Sequence, residues 1–350
     1  MRLRTSLRAG LGAFALVSAS VGLVAFAGSP AQASPVPAAT AIPAHVFAPY
    51  FEAYNGDNPA TLAKESGAKY LVFAFIQTAT AGSCTAYWNG STTQPLTSAT
   101  FGKEISAIQA AGGNVVPSFG GYTADSTGTD IADSCTSVSS IASVYEHVIT
   151  TYNISRIDLD IEANSLTNTA GITRRDQAVA KVEAWAKSKK RTIQFSYTLP
   201  SATTGLGATG VSVLQDAKAQ GATVNVVNAM TFDYYIGTTQ EMATDTETAG
   251  QGVYNQLKAL HPTDSAAKLW SMIGITEMPG IDDFGAAETF TQADAATVLH
   301  WAKSKGISTL SFWALQRDNG GCPGTSGAGT CSGITQPTWY FSHTFESFTS

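Results

Sequence analysis

Apolar residues recur along the chain in two alternating rhythms. Short strand-like runs occupy 45–51, 70–77, 114–119, 156–162, 192–199, 224–232, 269–275 and 308–315, most of them continuous and apolar. Runs of that length predict strands buried on both faces, as in a parallel sheet. Between them lie polar loops and segments that are Ala-rich or apolar at helical spacing, at 61–66, 101–111, 138–151, 174–187, 211–219, 248–261 and 292–305. Eight strands alternating with helices over about 300 residues predict an α/β chain closed as a TIM (β/α)8 barrel, with a doubly wound open sheet as the alternative. No shift of composition after His45 marks a second domain, so 45–350 reads as one domain.

The start of the chain follows another pattern. Arg2, Arg4 and Arg8 precede a small, apolar run from 9 to 27, and Ala31-Gln32-Ala33 has the A-x-A form of a cleavage site. These features predict a signal peptide at 1–33, removed on export, and a secreted, extracellular mature protein. No other run approaches the roughly 20 apolar residues of a membrane span. Residues 34–44 are Pro- and Ala-rich and read as a flexible lead-in.

Composition removes several classes. With 44% hydrophobic and 13% charged residues, the chain is neither disordered nor collagen-like. The formal net charge is -6, and loss of the leader's three arginines leaves 17 basic against 26 acidic residues. Phosphate recognition needs an excess of Lys and Arg, which this acidic chain does not have, so a nucleic-acid partner is not expected and a neutral one fits better. The four cysteines lack metal spacing, and in an exported chain they predict two disulfides. Of three possible connectivities we favour Cys322–Cys331, closing a Gly-rich loop, with Cys84–Cys135. The five histidines show no paired ligand spacing, so neither a metal nor a cofactor is expected. Gly205-Leu206-Gly207-Ala208-Thr209-Gly210 spells G-x-G-x-x-G but follows a polar loop, which argues against a dinucleotide site.

The strongest chemical signal is Arg156-Ile157-Asp158-Leu159-Asp160-Ile161-Glu162. In a strand, period two places Asp158, Asp160 and Glu162 on one face and the apolar residues on the other. Three carboxylates on the inner face of a buried strand repel each other and lose solvation, which is a poor structural choice. Crowding of this kind raises carboxyl pKa values and can keep a terminal Glu protonated as a general acid near neutral pH. Glu162 also stands at the C-terminal end of its strand, where barrel active sites lie.

These residues resemble the D-x-x-D-x-D-x-E signature of family 18 glycoside hydrolases, the chitinases, with Ser155 in place of the first Asp. Ser118-Phe119-Gly120-Gly121 is similar to the family's S-x-G-G segment. Met230-Thr231-Phe232-Asp233-Tyr234-Tyr235 resembles its M-x-x-D segment, with Phe232 where many members carry Tyr, and Trp313 matches the aromatic floor of the sugar site. The matches extend from Ala48 to Asp318.

The resemblance implies retaining hydrolysis of β-1,4-linked N-acetylglucosamine polymers in which the substrate's own 2-acetamido group is the nucleophile, an exception to the two-carboxylate scheme. Glu162 would then be the acid and base, Asp160 the residue orienting the acetamido group, and Asp158 the acceptor of a shared proton. With Phe232 unable to hydrogen-bond, Tyr234 takes the role of holding the acetamido group. Tyr50, Trp88, Gly120, Gly121, Tyr197, Met230, Asp233 and Trp313 are the expected substrate-binding residues, and chitin or chitooligosaccharides the expected partner of a monomeric enzyme. The barrel takes nearly all of the 317 residues after the leader, so no separate carbohydrate-binding module is expected. Two alternatives use the same residues: an endo-β-N-acetylglucosaminidase acting on N-glycans, and a non-catalytic chitin-binding barrel.

Overall fold

The computed structural model describes residues 41–350; the leader at 1–33 and residues 34–40 of the lead-in lie outside the described residues. The strands Tyr70–Thr78, Asn114–Gly120, Arg156–Asp160, Gln194–Ala202, Val226–Met230, Ile273–Glu277 and Thr309–Phe312 follow one another around a parallel sheet. A split first strand closes it. Val46–Phe47 pairs with Thr309 and Leu310 of the last strand, and Tyr50–Glu52 pairs with Val72, Phe73 and Ala74 of the second. The interruption falls at Pro49, which has no N–H for a ladder. The result is a TIM-like α/β barrel, as the apolar runs predict.

Helices Pro59–Ser66, Gly102–Ala110, Val138–Tyr152, Thr169–Ser188, Ala208–Gln220, Met242–Leu260, Gln292–Lys305 and Tyr340–Phe345 follow the strands in turn. Local signals set their ends. Gln292–Lys305 begins with a capping box between Thr291 and Asp294 and stops at Gly306 in the left-handed region, matching its expected span. No helix among the described residues is long and apolar enough to cross a membrane. Cys84–Cys135 and Cys322–Cys331 are both formed.

One expected strand moves. The run 269–275 begins in a helix, Ala266–Trp270, capped by the Ser265 side chain, and the strand proper is Ile273–Glu277. The Gly205 segment forms a two-residue strand paired antiparallel to Ser201 and Ala202. A Cβ on Gly205 would come within 2.9 Å of Gly252 backbone, so this glycine serves close packing.

Two cores divide the work. The larger one lies between sheet and helices and takes the outward residues Ile157, Leu159 and Ile161 with Tyr145, Val148, Val179 and Val182. A smaller one fills the barrel interior beside the first three strands, with Val46, Ala48, Tyr50, Val72, Ala74 and Val116. The rest of the interior is polar: Asp158, Asp160, Ser196, Thr198, Asn228 and Thr276 are all buried.

Candidate active site

A cleft of about 970 Å³ opens at the C-terminal end of the strands. Asp160, Glu162, Gly120, Thr198, Met230, Phe232, Asp233 and Thr276 line it, with Trp313 and Phe75 among its aromatic residues. The rings of Phe75 and Trp313 stack 5.6 Å apart at 15°, and Tyr50 packs on Trp313 at 5.7 Å. A stacked apolar surface of this kind suits the face of a ring-shaped, non-ionic ligand.

Period two holds along Arg156–Asp160, and the carboxyl groups rise in order toward the cleft. Asp158 is the deepest. Its Oδ1 accepts from Ser196 Oγ at 2.6 Å and Thr198 Oγ1 at 2.8 Å, and its Oδ2 from Ser118 Oγ at 2.7 Å and Tyr50 OH at 3.0 Å. Burial raises its pKa while these four hydroxyls pull it down. Asp160 has no such relief: burial, then Glu162, Asp158 and Asp125, hold its pKa well above the usual carboxylate range. Its Oδ1 is buried without a partner. Of the two aspartates, Asp160 is the one pushed up with no hydrogen bond to offset its burial. Burial also pushes Glu162 up to about 7, partly offset by the Tyr122 main-chain N–H. At neutral pH a carboxyl group so placed can both give and take a proton.

Gly120 and Gly121 make room for this arrangement. A Cβ on Gly120 would lie 2.1 Å from the Asp160 carbonyl oxygen, and one on Gly121 2.7 Å from the Phe75 ring. Both have φ in the left-handed half of the map, +99° and +84°, which glycine adopts freely.

The structure separates the expected aromatic ligands. Trp313 and Met230 line the cleft; Tyr50 also reaches it, but its hydroxyl is committed to Asp158. Trp88 does not reach it. It is 0% exposed, packed edge-on against Phe73 and Phe101, and its Nε1 donates to Tyr152 OH at 2.9 Å. Tyr197 is likewise fully buried, with its hydroxyl donating to Asp176 Oδ1 at 2.6 Å behind the sheet. Period two explains this: Ser196 and Thr198 face the interior, so Tyr197 faces the helices. Tyr234 is corrected in the same way. Its hydroxyl lies buried among Glu277, Asp245 and Thr246, and its neighbours Phe232, Asp233 and Tyr235 line the cleft instead.

Loop residues complete the walls, among them two aromatics expected from the sequence to stand above the strand ends. Tyr54 and Tyr122, 51% and 68% exposed, stand on the loops after the first and third strands. Asp233 is held by a carboxylate frame: its N–H donates to Asp282 Oδ2 at 2.9 Å and its Oδ1 accepts from Asp283 N at 3.0 Å. Burial and the nearby Asp283 raise Asp233 to about 6. Neither Asp282 nor Asp283 belongs to a periodic pattern that could have announced it.

An α/β barrel with stacked inner carboxyl groups under an aromatic-lined cleft defines the class: a barrel equipped for acid–base chemistry on a neutral ligand. Residues 46–278 match the model of glycosyl hydrolases family 18, and the chain belongs to that family. It is 34% identical over 320 residues to a probable bifunctional chitinase/lysozyme of Escherichia coli K12, covering 88% of this chain and 35% of that one. It is 33% identical over 288 residues to endochitinase 11 of Metarhizium anisopliae, covering 79% of this chain and 53% of the relative. The chain thus spans about a third to a half of these relatives' lengths. Among solved structures, the catalytic domain of a hyperthermophilic chitinase from Pyrococcus furiosus superposes with a TM-score of 0.78 at 32% identity, over 89% of this chain and 97% of that domain. Catalytic-site mutants of active domain 2 of a thermostable P. furiosus chitinase have been solved with chito-oligosaccharides.

Proposed function

We propose that this chain is a secreted, monomeric chitinase that hydrolyses β-1,4-linked N-acetylglucosamine polymers with retention of configuration. The observation that carries the reading is Glu162, raised to about 7 at the cleft end of a row of three inward carboxyl groups. The names of the relatives and the chito-oligosaccharide complexes support the substrate; the leader pattern supports secretion.

Glu162 protonates the glycosidic oxygen as the C–O bond breaks, while the substrate's acetamido carbonyl closes on the anomeric carbon to give an oxazolinium ion. Asp160 turns to the acetamido N–H and passes its proton to Asp158, whose hydroxyl neighbours can rotate from donating to accepting. The resulting Asp160 carboxylate orients the acetamido group and stabilises the cation. Water then attacks the anomeric carbon as Glu162 takes its proton. Trp313 and Phe75 floor the reacting sugar. Phe232 and the turned-away Tyr234 leave Asp160 and Asp233 as the polar groups on the acetamido side.

Glu162→Gln tests the reading on a fluorogenic chitobioside: turnover falls at least roughly 10²-fold with oligosaccharide binding kept. Unchanged turnover overturns it. Turnover of a high-mannose glycopeptide in preference to chitin oligomers would instead mark an endo-β-N-acetylglucosaminidase.

A further inference from the structure

Glu162 lies just beyond the end of its strand, where the sheet no longer supplies partners. Ile161 N still donates to Thr198 O at 2.9 Å, and Gly121 N to Asp160 O at 3.0 Å. The next N–H, that of Glu162, is taken by a side chain: Asp125 Oδ2 accepts it. The carbonyl of Glu162 accepts from Ser165 N at 2.9 Å, which starts the turn Ala163–Leu166. The main chain of the acid/base is therefore gripped on both sides, on one of them by a single carboxyl group.

Asp125 is built for that place. It lies in the short helix Tyr122–Thr127, which starts directly after Gly121, and its own N–H donates to Gly121 O at 3.0 Å. The turn that brings Gly120 against Asp160 thus also sets Asp125. The side chain is fully buried, and its Oδ1 has no partner. A Cβ on Gly120 would lie 3.3 Å from that oxygen, so no larger residue at 120 leaves the carboxyl undisturbed. The charged groups that act on it are Asp130, Arg175 and Glu162, and Asp125 acts in turn on Asp160. A buried carboxyl group with one hydrogen bond is costly in a structure, and here the bond goes to the acid/base itself.

We propose that Asp125 is a positioning residue for hydrolysis, which through its hydrogen bond to the Glu162 main chain fixes where the acid/base stands over the cleft. The proposal rests on the reading of Glu162 as acid/base. Burial and Asp130 raise the Asp125 carboxyl well above its ordinary range, and its Oδ2 can accept the Glu162 N–H whether or not the other oxygen carries a proton. Displacement of a reacting group by about 1 Å can cost about 10²-fold in rate.

The test compares Asp125→Ala with Asp125→Asn on the full-length protein. Asparagine keeps an oxygen for the Glu162 N–H and puts its Nδ2 where Oδ1 has no partner; alanine keeps neither. The alanine variant loses about 10²-fold in kcat with KM within about twofold, and asparagine recovers most of that loss. Hydrogen exchange, followed by mass spectrometry on peptides across 160–166, reads the same contact without turnover: protection drops in the alanine variant and returns in the asparagine one. Equal kcat in wild type and D125A, a loss in D125N as large as in D125A, or unchanged exchange in D125A overturns the proposal. If E162Q proves fully active, the acid/base reading fails, while the exchange measurement still reports whether Asp125 holds that main chain.

Discussion

Two buried acidic regions lie back to back across the sheet, and their chemistry differs. Inside the barrel, Asp158 is satisfied by four neutral hydroxyls, and no ion pair among the described residues involves Asp158, Asp160 or Glu162. Outside it, Asp130 pairs with Arg175 at 3.1 Å, Asp133 accepts from Asn168 at 2.9 Å, and Asp176 accepts from Tyr197. The rear group is organised around a cation and fastens the Thr169–Ser188 helix to the loops behind the sheet. Burial raises carboxyl groups in both regions, Asp133 and Asp176 behind the sheet as well as Asp160 and Glu162 inside it, but only behind the sheet does Arg175 pull the other way. The difference lies in access: the rear carboxyl groups are tied to Arg175 and the helix, whereas Asp160 and Glu162 open on the cleft, where a proton can be exchanged with a ligand. Asp125 acts on both regions.

Arg175→Met gives the largest expected effect. It leaves Asp130 buried and unpaired, which costs about 3–5 kcal/mol of folding stability by denaturant titration. A loss below about 1 kcal/mol would mean that the rear region does not depend on its cation. Asp160→Ala comes next: kcat on chitin oligomers drops roughly 10²–10³-fold with stability kept or raised, because a developing cation loses its counter-charge. A variant that is instead unfolded, or fully active, would make Asp160 part of the frame. Tyr197→Phe removes the donor to Asp176 and costs about 1–2 kcal/mol in stability without moving KM; an altered KM would restore Tyr197 to the cleft.

The smallest effect is on stability against pH. A carboxyl group raised in the folded state favours its protonated form. Its contribution is present below the unfolded value near 4.5 and is lost as pH rises through about 7. Glu162→Gln removes that loss, so its Tm exceeds that of wild type above pH 7, and the gap closes toward pH 4. A constant gap would deny the raised pKa.

Much of this was legible in sequence because strands and ladders are periodic. The apolar runs located the barrel strands, and period two placed Asp158, Asp160 and Glu162 on one face without reference to the fold. The seventh strand was misplaced because Leu269 and Trp270 are apolar in either setting, and Ser265 decides for a helix. The aromatic ligands were less legible. Trp88 lies in the three-residue strand Ala86–Trp88, antiparallel to the second strand, and near a loop nothing in its neighbours says which way it faces. Tyr197 could have been excluded by the same alternation that selects Ser196 and Thr198. Asp125 was invisible, since its link to Glu162 spans 37 residues and depends on the Gly120-Gly121 turn.

Carbon-13 NMR titration of the Glu162 carboxyl in the otherwise unlabelled protein bears most directly on the claim that burial at the cleft raises this acid to near neutrality. The expected midpoint is about 7, coinciding with the pH at which kcat falls on the alkaline side. A midpoint near the ordinary glutamate value of about 4.3, with kcat still high at neutral pH, would contradict it.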